Sequence, residues 1–206
     1  MPHRFLIILL LVFGFAQNSW AEKPIPEACQ TQCVSNYGLV LGKSPSQVEA
    51  YSNCNANCVV FQPNHFQKTY TGIKWQCVEY ARRWLLVNMG VVYGDVDIAA
   101  DIWKLSEVTH VSDQSKRSFP GFVNGSTTGI QKGDLLIYGD EYLKTGHVAV
   151  VTQVDAKDGF IYVAEQNFLN ETWPGDYARK IKLHIENGKH WVLDSYLIGW
   201  KRVKQS

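Results

Sequence analysis

The chain has no surplus of either charge: 20 Lys and Arg stand against 19 Asp and Glu, for a net charge of +1. It therefore lacks the basic footprint with which nucleic-acid binders hold phosphates. It has no run of 18 or more apolar residues, which excludes a membrane-spanning helix. Internal repeats, low-complexity tracts, phosphate-cradling glycine loops and metal-ligand clusters are also missing, so neither a cofactor nor a metal is expected. What is present is 206 residues with 46% apolar and 19% charged side chains. That composition builds one globular domain, or one domain with a small appendage.

Residues 1–21 read as a secretory signal, with Arg4 as the basic start and an eleven-residue apolar run from Phe5 to Phe15. Ser19-Trp20-Ala21 places small residues at the cleavage positions, so export to a periplasm or medium is expected, with no membrane anchor after cleavage. An oxidising destination changes how the cysteines are read. Cys29, Cys33, Cys54 and Cys58 form two C-x-x-x-C pairs. At helical spacing each pair shares one face, so two antiparallel helices would join Cys29 to Cys58 and Cys33 to Cys54. Gly42 would end the first helix; Ser44, Pro45 and Gln47 suit the N-cap, first and third positions of the second. A four-cysteine zinc site is the rival, but zinc pairs are usually closer and export favours disulfides. The expected layout is a leader over 1–21, a disulfide-stapled helical hairpin over 22–65, and a catalytic domain over 66–206.

That pairing leaves Cys77 alone, either a small buried hydrophobe or a reactive thiol. Val78, Ala81, Trp84 and Leu85 follow the spacing of a core-facing helix that Gly90 ends. Cys77 then heads the helix, where free N–H groups and the helix dipole stabilise a thiolate.

A partner comes from Thr145 to Val154, a β-branched run that reads as a buried strand. A five-residue turn over 155–159 leads to a returning strand from Phe160 to Asn167. If Val154 pairs with Phe160, His147 faces Asn167 and Ala149 faces Glu165, and His147, Glu165 and Asn167 share one face. A thiol beside an imidazole oriented by a third polar group is the arrangement of a cysteine hydrolase. Cys77 is the expected nucleophile and His147 the base. Either Glu165 or Asn167 fixes the imidazole, and Gln76 with the Cys77 N–H is the candidate oxyanion site. His3 falls in the leader, and His65, His110, His184 and His190 read as ordinary.

Elsewhere, 98–107 reads as helical, 134–138 as a strand and 191–203 as strand-rich. Lys116 to Gln131 reads as a loop at the cleft mouth, and Phe168 to Tyr177 as a loop whose aromatic residues are placed to line a groove.

The segments Trp75-Gln76-Cys77-Val78-Glu79-Tyr80-Ala81-Arg82-Arg83, Thr145-Gly146-His147-Val148-Ala149 and Ala164-Glu165-Gln166-Asn167 resemble the amidase domain of the glutathionylspermidine synthetase/amidases. Asn88 to Tyr93, Phe119-Pro120 and Ile198-Gly199-Trp200 add to the likeness, which covers about residues 66–203. That domain belongs to the CHAP group of cysteine amidohydrolases and peptidases. The resemblance implies an α+β, papain-like fold with an antiparallel sheet packed on the helix that bears the nucleophile. It implies Cys77 as nucleophile, His147 as base and Glu165 as orienting acid, with Asn167 and Gln76 in the site and Arg82 touching substrate.

The leader and the four-cysteine segment depart from the family pattern, and no stretch corresponds to its ATP-using synthetase domain. The expected substrate is a small peptide amide, or a cell-wall peptide within reach of an exported enzyme. A non-catalytic secreted module is the reading from another class, with the hairpin docking a protein partner.

Overall fold

The computed structural model describes residues 24–204, so the leader read over 1–21 lies outside the described residues. The body is a seven-stranded antiparallel sheet: β1 (Gly121–Val123), β2 (Leu135–Tyr138), β3 (His147–Asp155), β4 (Phe160–Ala164), β5 (Arg179–Glu186), β6 (Lys189–Val192) and β7 (Leu197–Lys201). Their spatial order is β6-β5-β4-β3-β2-β7-β1. Among the described residues one α-helix, α1 (Cys77–Met89), packs against it, an α+β arrangement.

Strand alternation builds two cores. Leu135, Ile137, Val148 and Val150 meet Tyr80, Ala81, Trp84 and Leu85 of α1 on one face. Leu136, Tyr138, Ala149 and Val151 join Ile161, Val163, Ile181 and Trp200 on the other. The helix ends at Gly90, whose φ of 67° is the left-handed geometry that glycine adopts without a Cβ clash.

The β3–β4 register matters most for the site. Val150 pairs with Ala164 and Val151 with Val163, the alignment expected from the sequence. The turn differs: Asp155, not Val154, pairs with Phe160. A bulge at Thr152 absorbs the extra residue, and its hydroxyl bonds the Tyr162 carbonyl at 3.1 Å. The tight end therefore runs one residue out of the expected register and Val150–Ala164 runs in it. The strand expected to reach Asn167 ends at Ala164, so the ladder stops short of the expected His147–Asn167 and Ala149–Glu165 pairs.

The stapled segment pairs its cysteines as expected, Cys29 with Cys58 and Cys33 with Cys54. Its helices are the error. Between Pro26 and Phe66 the structure has one short 3₁₀ turn, Glu27–Cys29, a strand pair Val40–Lys43 with Glu49–Tyr51, and the start of a hairpin, Pro63–Phe66 with Thr69–Ile73. Gln32, Gln47 and Cys54 have positive φ, which no helix accepts, and the asparagines of 53–57 bond neighbouring backbone instead. Ser44 to Gln47, read as a helix start, is a turn closed by the Gln47 N–H on the Ser44 carbonyl. Four cysteines in disulfides also remove the zinc alternative. Leu41, Val48 and Ala50 enter the same core as Trp84, so the segment is built into the body.

Smaller differences follow the same logic. Ala99–Lys104 is a 3₁₀ helix, and the 116–131 stretch contains Lys116–Ser118 and β1 rather than loop alone.

Candidate active site

Cys77 is the first residue of α1, 7% exposed, and the free cysteine among the described residues. Gln76 is its N-cap, with extended backbone and no capping bond from its side chain. The helix is anchored by Glu79, fully buried. Its carboxylate accepts from Arg83 at 2.7 and 3.0 Å, from Asn64 at 2.8 Å, from Thr71 at 2.9 Å and from Gln166 at 3.2 Å. These bonds satisfy a buried charge and lock the first turn to β4's exit.

His147 opens β3 and is 2% exposed. Its Nε2 lies 2.8 Å from Glu165 Oε2, which leaves Nδ1 as the nitrogen able to serve the Cys77 sulfur. Burial alone would lower the imidazole pKa. The Cys77 side chain, followed by Glu165, outweighs it and raises the pKa to about 9. Tyr138, Phe168 and Tyr142 surround the ring, with centroids 5.4–6.2 Å away.

Glu165 just follows β4. Burial pushes its carboxyl up, but the hydrogen bond and charge of His147 and the Arg179 guanidinium hold it below the usual range. Arg179 reaches it from β5, where it pairs beside Val163. Its Nε is 2.5 Å from Oε1 and its Nη2 3.2 Å from Oε2. The guanidinium also bonds Asp194 at 2.8 Å and the Tyr138 hydroxyl at 3.1 Å, and Tyr138 donates to Asp194 at 2.7 Å. A continuous polar chain thus runs from the imidazole to partly exposed Asp194. Sequence reading missed Arg179, Asp194 and Tyr138, because the β4–β5 pairing that would have revealed Arg179 crosses a 14-residue gap.

The two groups left open behind His147 separate. Glu165 takes the imidazole; Asn167 turns to Gln76, donating from Nδ2 to Oε1 at 2.6 Å. Gln166, between them, points to the helix side and donates to the Gln76 carbonyl at 3.2 Å. Asn53, from the stapled segment, donates to Asn167 Oδ1 at 2.6 Å, a contact no sequence signal announced.

Arg82 is not brought to this group. It is 2% exposed and bonds the Gly94 carbonyl at 2.8 Å and Asp95 at 2.9 Å, with its guanidinium over Tyr93. The 168–177 loop does line a cavity of about 290 Å³, together with Leu41, Glu165 and Arg179.

Residues 68–167 match the CHAP domain family. The chain is 33% identical over 180 residues to the bifunctional glutathionylspermidine synthetase/amidase of Escherichia coli strain K12, covering 80% of this chain and 29% of that protein. Trypanothione synthetase of Crithidia fasciculata is 32% identical over 159 residues, covering 77% of this chain and 24% of its own length. The glutathionylspermidine synthase of the same organism is 34% identical over 140 residues, 65% of this chain and 19% of its own. The chain thus spans less than a third of the relatives it matches. The chain carries a CHAP domain over residues 68–167, and the thiol, the imidazole and the carboxylate all lie inside that span.

Proposed function

We propose that the protein hydrolyses an amide bond of a small peptide conjugate through a covalent thioester on Cys77, on a papain-like arrangement of helix and sheet over 66–206. The observation that carries this reading is the buried imidazole that Glu165 Oε2 holds at 2.8 Å and on which the Cys77 side chain acts.

His147 takes the Cys77 proton on Nδ1, and Glu165 balances the imidazolium from Nε2. The sulfur attacks the amide carbonyl, forming a C–S bond while the carbonyl oxygen takes up the electron pair. The Cys77 N–H and Gln76 Nε2 stabilise that oxyanion. Collapse breaks the C–N bond as Nδ1 protonates the departing amine. Water then attacks the thioester and gives Nδ1 its proton; the C–S bond breaks and the acid leaves. Glu165 stays ionised throughout because Arg179 neutralises its other oxygen. Arg82, whose Nη atoms are turned to Thr71, Gly94 and Asp95, is given no part in these steps.

Two substrates fit amide hydrolysis of γ-glutamyl-containing peptides. The E. coli relative's name supports glutathionylspermidine. The two disulfides favour an oxidising, exported setting, where a cell-wall peptide is the reachable amide. The test is to incubate the protein with glutathionylspermidine and separately with purified peptidoglycan, and to identify released amines by mass spectrometry. Release that disappears in Cys77→Ala supports the proposal; release that persists in Cys77→Ala removes the mechanism.

A further inference from the structure

The stapled segment reaches the site through a ring of amides, and the direction of that ring can be read from its backbone members. Asn53 is fully buried. One end of its side-chain amide faces the Asn55 carbonyl at 3.2 Å, the Cys58 carbonyl at 3.2 Å and Asn167 at 2.6 Å. Two of these partners are backbone oxygens, which only accept, so the atom facing them is the nitrogen. Its own Oδ1 is buried with no protein partner, and reversing the amide would set that oxygen against two carbonyls.

The rest follows by elimination. The Asn167 atom that meets Asn53 Nδ2 is an oxygen, so its nitrogen is the atom directed at Gln76. The Gln76 atom that meets it is Oε1, so Gln76 Nε2 turns the other way, 3.4 Å from the Cys58 carbonyl. Cys58 thereby accepts from both ends of the ring, and it is tied to Cys29 by a disulfide.

We propose that Asn53, with the Cys58 carbonyl, is a positioning group for the oxyanion site: it sets the polarity of the Gln76 amide. One Gln76 N–H rests on Cys58, and the second is presented beside Cys77 as a donor. Reversed, Gln76 would aim a carbonyl oxygen at the developing negative charge and repel it. This rests on the hydrolytic reading above and assigns the disulfide-stapled segment a part in it.

The probe is p-nitrophenyl acetate, with Cys77→Ala as the blank. Thiol attack on its carbonyl releases nitrophenolate through an oxyanion. Iodoacetamide, which alkylates Cys77 at a saturated carbon, builds none. Asn53→Ala is expected to lower kcat for the ester about ten-fold or more, as a misdirected oxyanion donor does, while KM and the alkylation rate stay within about two-fold. In a Gln76→Ala background the same substitution is expected to change kcat by less than about two-fold, because Asn53 acts through Gln76.

Asn53→Asp, the same shape without the donor, is expected to behave like alanine and serves where alanine disturbs the near-ultraviolet circular dichroism. An unchanged kcat in Asn53→Ala, or an equal loss with Gln76 already removed, overturns the positioning role. A wild type no faster than Cys77→Ala overturns the hydrolytic reading itself, and that failure shows before any Asn53 variant is made.

Discussion

His147 keeps its proton in a place where burial should strip it, and its pH behaviour follows. With the pKa raised to about 9 by Cys77 and Glu165, the imidazolium persists through neutral pH and is lost as the solution passes about 9. The alkaline limb of kcat/KM is expected there. The linkage has a definite sign: a histidine pKa raised above its unfolded value of about 6.5 stabilises the fold fully below that value. That contribution fades as pH climbs to about 9. Lys201 acts in the opposite sense. Its Nζ is held by the Trp103 and Leu105 carbonyls, and burial lowers its pKa to about 8. The unfolded chain binds its proton more tightly, so Lys201 contributes stability that grows from about pH 8 towards 10.5. Thermal melts of Lys201→Met should lose that alkaline rise and keep the decline set by His147; a Lys201→Met curve parallel to wild type would contradict it. Arg179 tests the acid limb. Removing its charge as Arg179→Met is expected to raise the Glu165 pKa, moving the acid limb of the pH–rate profile upward. A profile with an unmoved acid limb would show that His147 alone holds Glu165 ionised.

At the scale of elements, Cys77, His147 and Glu165 were legible because local rules decide them. A helix start and a two-residue strand period need only a dozen neighbouring residues. The Thr152 bulge shows how narrow the margin was, since without it the shortened turn would have put the functional end out of register. Arg179 and Asn53 were not legible, because each reaches the site through pairing or packing that no local pattern encodes. The stapled segment was misread for a related reason: C-x-x-x-C spacing marks one face only if the backbone is already helical, whereas disulfides constrain distance alone. Its contact with the 168–177 loop gives an element-level prediction. A Cβ at Gly42 would sit 2.5 Å from the Trp173 indole, which is inside van der Waals contact. The Trp173 backbone N–H also donates to the Leu41 carbonyl at 2.8 Å. Gly42→Ala is expected to force the loop off the strand and destabilise the fold by about 1–3 kcal/mol, as overpacking does. An unchanged melting temperature would mean the indole simply slides aside.

Across the whole molecule, the thiol chemistry and the disulfides make opposite demands on redox state. A catalytic cysteine is ordinarily protected by reductant, since oxidation removes the thiolate. Here the bridges span 29 and 21 residues, and in the chain-entropy account each stabilises by about 3–4 kcal/mol. The segment they hold supplies Leu41, Val48 and Ala50 to the core and the Cys58 carbonyl to Gln76. Opening the bridges should therefore loosen the site while leaving Cys77 itself reduced. Titration with tris(2-carboxyethyl)phosphine is expected to give falling ester hydrolysis in step with the appearance of four new alkylatable thiols by mass spectrometry. The fall should be in kcat first, and reoxidation should restore it. Full activity with all four thiols free would mean that packing against the sheet holds Asn53 and Cys58 in place unaided. A fall that precedes thiol release would point instead to an effect at Cys77. The ordering of those two curves separates a scaffold that merely tolerates its disulfides from one whose hydrolytic site is completed by them.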